Sequence, residues 1–227
     1  SEIRTTPTHP GDSVGGSSYT PSDPIDPDQT ITQTANTNVT VTYYVRINNE
    51  SNTAETFSVT GTDGEAGKWM VEYKDITGTD ITSLITSTGW TPYIPGQYQP
   101  ISYEDITVLV IPLGGPSGPD GGDAYSVTIT STSTTDLGKS DQVRASTQVN
   151  ISDQPDLSIS NDNSVFSGTG IYEYPTPGAD QIKEQSIVQG QTITYYIKLT
   201  NDGNRDDKYT IDGPSSDADW TIAYYEE

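Results

Sequence analysis

The sequence predicts an all-β protein made of repeated β-sandwich modules, and three observations support this fold class. First, the segment 39–49 returns at 192–202, so that Tyr43 corresponds to Tyr195, 152 residues later. In both copies Val, Ile, Leu or Tyr takes every second position, which is the pattern of a strand with one buried face. Second, the apolar residues form short alternating runs separated by Gly, Pro, Asn and Asp, although they make up only 30% of the chain. Third, no window of ten or more residues has helical apolar spacing.

The first segment of the chain, residues 1–30, is rich in Pro and Gly and would by itself be typical of an extended linker. The repeat changes this interpretation, because Asp28-Gln29 matches Asp180-Gln181 and Gln33-Thr34 matches Gln185-Ser186. The segment is therefore predicted to be a long ordered loop between the first two strands of a module.

The repeat continues after the strand at 39–49. The segment 57–61 matches 209–213, and 68–73 matches 219–224, so four further strands are predicted, with the Trp and Tyr of the latter pair pointing inward. Only the first copy goes on, with strands predicted at 105–112, 124–130 and 141–149. Seven or so short strands with turn signals between them predict an immunoglobulin-like sandwich.

The two modules are predicted to be unequal. We expect a first, nearly complete module at 1–152, including the N-terminal segment 1–30, and a second, truncated module at 153–227, which has nothing matching 88–149. Conversely, the first module has no obvious counterpart of Asp156-Leu157-Ser158-Ile159. Half a sandwich exposes an apolar sheet face and an open strand edge. Two explanations stay open: a fragment of a longer tandem array, or subunits that complete each other head to tail.

The charge of the chain excludes some partners. With 32 acidic and 10 basic residues the net charge is −22, which disfavours binding to nucleic acid and to anionic membranes. No hydrophobic run approaches 18 residues, so no membrane insertion is expected. The acidic residues have two interpretations, a solvated surface that limits aggregation and a set of cation-binding loops.

Catalysis is not expected. Cysteine is absent and the only histidine, His9, lies in a Pro/Gly segment, so we expect no catalytic triad or transition-metal cluster, and neither an enzyme nor a cofactor. Calcium is the one candidate ion, because Asp and Asn oxygens in loops suit it. The alternative is that tight turns simply require these residue types. The candidate calcium ligands are Asp202, Asp206, Asp207, Asp120 and Asp123.

Aromatic and apolar side chains on strand surfaces are candidates for contacts between subunits. An outward Tyr could stack on a sugar, but packing at a half-wet subunit interface is the interpretation that we favour. The candidate contact residues are Tyr44, Tyr196, Tyr224, Tyr225, Leu157 and Ile159.

Several motifs resemble those of a known repeat. They are Thr-Tyr-Tyr-(Val/Ile)-(Arg/Lys)-(Ile/Leu)-x-Asn, which starts at Thr42 and Thr194, and Trp-x-(Val/Ile)-x-Tyr, which starts at Trp69 and Trp220. Together they resemble the immunoglobulin-like module of large bacterial and archaeal cell-surface and secreted proteins. Asn201-Asp202-Gly203-Asn204 fits the turn of adhesin-type repeats, whereas the segment 49–52 lacks the Gly. The resemblance implies an extracellular β-sandwich repeat of the kind found in stalks, adhesins and fibres.

From the repeat, the missing catalytic residues and the partial module, we expect a structural extracellular protein of the cell surface. It would form a pilus-like filament with itself, head to tail, by β-strand complementation. The second candidate is an adhesin or carbohydrate-binding module of a larger secreted protein, with glycans as its partners.

Overall fold

The structure is a computed structural model, and it describes residues 1–7 and 29–226. His9 and most of the predicted N-terminal loop lie outside the described residues. The chain divides into two compact units, Ser1–Asn150 and Ile151–Glu227, which we call the first and the second unit. Each unit is described by itself below.

The first unit consists of two β-sheets. One has the strand order β1-β3-β7-β5 and the other the order β2-β9-β8-β4-β6. All neighbouring strands are antiparallel except β2 and β9, which run parallel. The strands are β1 (Glu2–Arg4), β2 (Thr30–Ala35), β3 (Val41–Asn48), β4 (Glu55–Gly61), β5 (Trp69–Asp75), β6 (Tyr93–Ile94), β7 (Tyr103–Pro112), β8 (Ala124–Ser133) and β9 (Ser140–Val149). A single turn of helix, α1 (Thr82–Ile85), follows β5.

The core of the first unit lies between the two sheets. Along β3 the side chains of Val41, Tyr43, Val45 and Ile47 are buried and those between them are half-buried, as the period of two requires. Residues of both sheets form one apolar cluster. The all-β sandwich predicted from the alternating pattern is therefore confirmed.

The second unit contains two paired strands among its described residues. They are β10 (Pro155–Ser160) and β11 (Tyr196–Asn201), which run antiparallel, and a turn of 3-10 helix spans Ala179–Gln181. The predicted repeat of the β3 strand is therefore confirmed as β11.

Two other predictions for the second unit are wrong. The segments 209–213 and 219–224, which match β4 and β5, are not strands. In the first unit β4 pairs with β8 and β5 pairs with β7, and the sequence from 151 to 226 has no counterpart of either partner. A strand without a neighbour leaves its backbone donors and acceptors unpaired, so alternation alone does not produce one.

The prediction that the first strand of the second module has no counterpart in the first is also wrong. In the first unit Ile3 pairs with Val45, and in the second unit Ile159 pairs with Ile197. Because Ile197 is the counterpart of Val45, β1 has the same position in the first unit as β10 has in the second. The correspondence is hidden in the sequence because β1 has only three residues and its offset is 156 rather than 152.

In the described part of the chain, no helix has the length and hydropathy needed to cross a lipid bilayer.

Candidate functional site

The second unit repeats the side-chain contacts of the first. The Asn49 amide donates to the carbonyl of Thr53 at 2.9 Å, and the corresponding Asn201 donates to Arg205 at 2.8 Å. Two glutamines repeat a second contact, each with the carbonyl nine residues later: Gln33 donates to Thr42 at 2.9 Å, and Gln185 donates to Thr194 at 3.0 Å. The second unit thus has the local geometry of a module, although it contains only part of one.

The two units differ in how far corresponding side chains are buried. Each core position of the first unit that we compare has an apolar or aromatic counterpart in the second, and that counterpart is exposed. The exposed fractions are 0% for Val45 and 54% for Ile197, 0% for Val59 and 57% for Ile211, 4% for Trp69 and 56% for Trp220, and 0% for Tyr73 and 64% for Tyr224. The residue types suit a core, so what differs is the absence of covering strands in residues 151–226.

In the β10–β11 sheet the polar residues of β10 are buried, whereas the apolar residues of the opposite face are exposed or half-buried. Leu157 lies opposite Leu199 and Ile159 lies opposite Ile197, so these four residues share one face, which we call the open face. The other face carries Asp156, Ser158 and Ser160, which are all buried. The Gly170 amide donates to the Asp156 carboxylate at 3.1 Å from the segment that covers this face. A sheet that buries serines and exposes leucine reverses the usual preference.

The candidate contact residues fall into two groups. Leu157 and Ile159 belong to the open face, and Tyr224 and Tyr225 are exposed in the same unit. Tyr196 is half-buried at the start of β11, opposite Ser160. Tyr44 is half-buried on the outer face of β3, between Arg4 and Thr107 of the neighbouring strands. The structure therefore brings together the apolar members of the set and leaves Tyr44 in the first unit.

The candidate calcium ligands have other partners in the structure. Asp202 accepts a hydrogen bond from the Tyr172 hydroxyl at 2.7 Å, and this contact raises the pKa of Tyr172 to about 12. Asp123 accepts the Asp120 amide hydrogen at 3.1 Å within its own turn. Asp206 and Asp207 are exposed. Among the described residues no three acidic or histidine side chains come together as metal ligands. Calcium binding stays a prediction.

A groove in the first unit was not singled out from the sequence. It has a volume of about 300 Å³, and its lining residues include Tyr93, Tyr98, Asn52 and Gln99. The signal in the sequence is a pair of tyrosines within the Pro- and Gly-rich segment 92–100. Both tyrosines are largely exposed.

No family model matches this chain, and no curated protein does. Among solved structures it is similar to the ASH/PapD-like domain of human CEP192, with a TM-score of 0.31 and 12% identity, over 54% of this chain and 80% of that one. It is also similar to the CupB2 chaperone of Pseudomonas aeruginosa, with a TM-score of 0.29 and 8% identity, over 62% and 79% of the two chains. A third structure, described as BspA_C_WT, has a TM-score of 0.26 and 13% identity, and the match covers 57% of this chain and 47% of that one. The chain is an all-β protein with one immunoglobulin-like β-sandwich followed by a partial module.

Proposed function

We propose that this chain is a structural segment of an extracellular surface filament, in which the second unit is completed by β-strands from a neighbouring module. One observation carries the proposal: the second unit exposes Ile197, Ile211, Trp220 and Tyr224, the counterparts of four core residues of the first. Apolar surface of this kind is associated with protein interfaces. The resemblance of the repeat to modules of bacterial and archaeal surface proteins supports the cellular location.

The first unit indicates what would cover the open face. There β7 lies between β3 and β5, with Val108 paired to both Tyr43 and Tyr73. From the opposite sheet β8 and β9 contribute Val127 and Val143 to the core. The complement of the second unit is therefore a three-stranded segment with the alternation of β7, β8 and β9.

The first unit of another copy is a poor donor for this purpose, because its β7–β9 strands already cover its own core. The proposal therefore takes the open face as the acceptor and a β7–β9-type segment of a further module as the donor. Main-chain pairing would supply the affinity and the alternate apolar side chains the register, as in other cases of strand addition.

The acidic surface fits a structural role. Sheet edges and apolar faces favour lateral aggregation, and a net charge of −22 on each chain opposes it. We propose no enzymatic activity for this chain, since the repeat and the strand surfaces support a structural role.

A hybrid chain tests the acceptor directly. Because Tyr224 corresponds to Tyr73, a copy of residues 76–150 attached after Glu226 would supply the missing strands in register. We expect the hybrid to lose binding of the apolar dye bis-ANS and to protect the β11 amides from exchange. The matched control is the same hybrid with Asp in place of the valines appended from Val108 and Val127. Equal dye binding by the hybrid and the natural chain would contradict the proposal.

Electron microscopy with light scattering tests assembly. If the chain polymerises by itself, fibres form at physiological salt, and Ile197→Asp on the open face abolishes them without altering amide exchange in the first unit. A monodisperse particle near 24.4 kDa would rule out self-assembly and leave completion by another chain to be tested with the hybrid.

A second candidate function, carbohydrate binding, is favoured by the groove between Tyr93 and Tyr98.

A further inference from the structure

We propose that the groove between Tyr93 and Tyr98 binds a neutral saccharide. It has a volume of about 300 Å³, which accommodates one or two pyranose rings. The inference concerns the first unit and is independent of whether the open face of the second unit is covered. We call the site the tyrosine groove, and its polar and aromatic wall consists of Asn52, Tyr93, Tyr98 and Gln99.

The backbone holds the tyrosine groove in place before any ligand arrives. Ile94 is fully buried next to Tyr93, and β6 pairs with β4 through Glu55. The Asn49 amide, itself buried, donates to the carbonyls of Ile94 and Thr53 at 2.9 Å each. One buried side chain thus ties the two segments that form the walls of the groove.

Gly96 fixes the other end of the tyrosine groove. A Cβ atom there would lie 2.9 Å from backbone atoms of Asn52 and Thr53, so only glycine permits this close approach. The Gln97 amide donates to the carbonyl of Ser51 at 2.8 Å beside this contact. A groove that is already ordered loses little conformational entropy when it binds a ligand.

The side chains of the groove have the chemistry that sugars require. Tyr93 and Tyr98 are 68% and 80% exposed, so their rings are open to a ligand and are not buried in packing. A tyrosine ring offers an apolar face to the C–H face of a pyranose and a hydroxyl at its edge. The amides of Asn52 and Gln99 each provide donors and an acceptor, which match the hydroxyl groups of a sugar.

The uncharged wall of the groove and the negative charge of the chain favour a neutral ligand. The groove is lined by Asn, Ala, Tyr, Pro, Gly and Gln, so no side chain that is charged at neutral pH contributes to its wall. The chain as a whole carries a net charge of −22, which repels uronic acids, sulfated sugars and phosphates. A neutral hexose polymer meets neither obstacle. A proline-rich peptide would also suit an aromatic groove, and the experiment distinguishes the two.

Titration of the complete chain tests the proposal. The probes are cellohexaose, mannohexaose and xylohexaose at concentrations up to about 5 mM, with a galacturonic acid oligomer and a proline decamer as comparisons. Binding is followed by NMR shifts of the 92–100 amides and by calorimetry. We expect at least one neutral hexasaccharide to bind, the acidic oligomer to bind at least about tenfold more weakly, and the proline decamer not to bind.

Two substitutions test the stacking role. Tyr98→Ala is expected to weaken binding about tenfold or more, whereas Tyr98→Phe keeps the ring and retains most of the affinity. Tyr225→Ala changes an equally exposed tyrosine outside the groove and serves as the control. The proposal is overturned if no neutral hexasaccharide shifts the groove amides, if Tyr98→Ala binds as the natural chain does, or if only the proline decamer binds.

Discussion

The Tyr73 hydroxyl donates a hydrogen bond to the carbonyl of Thr62 at 2.7 Å, and Tyr224 repeats the bond to Pro214 at 2.8 Å. In the first unit this bond links the β5 strand of one sheet to the end of β4 in the other. Tyr73 is fully buried there and Tyr224 is largely exposed. The contact is therefore produced by local sequence, whereas its contribution to stability depends on the surrounding core.

The glycine that precedes each carbonyl provides a matched pair of substitutions. A Cβ at Gly61 would lie 2.4 Å from the Tyr73 hydroxyl oxygen, and a Cβ at Gly213 would lie 2.3 Å from that of Tyr224. We expect Gly61→Ala to lower the free energy of unfolding of the first unit by about 2 kcal/mol, because the buried ring of Tyr73 has no room to move away from the added methyl group. Gly213→Ala should have little effect, since Tyr224 can rotate into solvent. Amide exchange in urea measures both variants, at the β5 amides for Gly61→Ala and at the β11 amides for Gly213→Ala. Equal effects would refute the role of burial.

The burial of Tyr43 and Tyr73 also predicts that the first unit loses stability at alkaline pH. Desolvation raises the pKa of Tyr43 and of Tyr73 above the ordinary value of 10.0. The folded state therefore keeps these protons more tightly than the unfolded state. This contribution is fully present below about pH 10 and declines as the pH rises towards the folded-state values.

Phenylalanine substitutions identify the tyrosines responsible. Tyr43→Phe and Tyr73→Phe each remove a buried hydrogen bond and are expected to cost about 1 kcal/mol at neutral pH. Each should also make the decline of the free energy of unfolding between pH 9 and pH 11 shallower. Urea titrations at several pH values measure the slope, with Tyr225→Phe as the exposed control. Slopes that match that of the natural chain would show that other groups cause the alkaline decline.

The alternating pattern was sufficient to predict most strands of the first unit, because period two and burial coincide in β3, β7, β8 and β9. It failed where a strand depends on its neighbours. The Trp220 segment has the same alternation as β5, but β5 is a strand because Val71 pairs with Val110 of β7. Local sequence cannot supply a partner that the segment lacks.

Long-range contacts account for the other features that were missed. The three residues of β1 are too few for periodicity to detect, and the strand is placed by pairing with β3, some 40 residues away. The tyrosine groove arises only when Asn52 and Tyr98 come together from separate loops. In contrast, the Asn49 and Asn201 turns depend on residues four positions apart and look alike in both units.

A partly buried ion pair distinguishes the first unit from the second. The Arg46 guanidinium makes two hydrogen bonds of 2.8 Å to the Asp105 carboxylate, which raises the pKa of Arg46. Arg4, which is 2% exposed, lies 3.3 Å from the same carboxylate. We expect Asp105→Asn to cost about 2 kcal/mol, because Arg4 and Arg46 lose the carboxylate closest to both and keep only Glu2, at 3.4 and 3.8 Å.

The exposed pair of Glu72 and Lys74, 3.9 Å apart, serves as a control for this prediction. Glu72→Gln should change the free energy of unfolding by less than about 0.5 kcal/mol. Thermal unfolding in low and high salt measures both variants, and the larger effect should persist in salt because the pair is shielded from solvent. Similar losses for Asp105→Asn and Glu72→Gln would mean that burial adds nothing to the pair.

Val45 and Ile197 occupy the same position of the repeat, one in a core and one on the open face. Val45→Ala is expected to lower the free energy of unfolding of the first unit by about 2 kcal/mol, as a truncation in a packed core does. Ile197→Ala should cost less than about 0.5 kcal/mol in the natural chain, where the side chain is half exposed.

The hybrid chain with residues 76–150 appended reverses the expectation for Ile197. Once the open face is covered, Ile197→Ala removes buried methyl groups and should cost about 2 kcal/mol or more. Amide exchange at β11 reports the change in both chains, and Val45→Ala, which should cost the same in each, controls for effects of the extension. If Ile197→Ala were as mild in the hybrid as in the natural chain, strands of the β7–β9 type would not be what the open face binds.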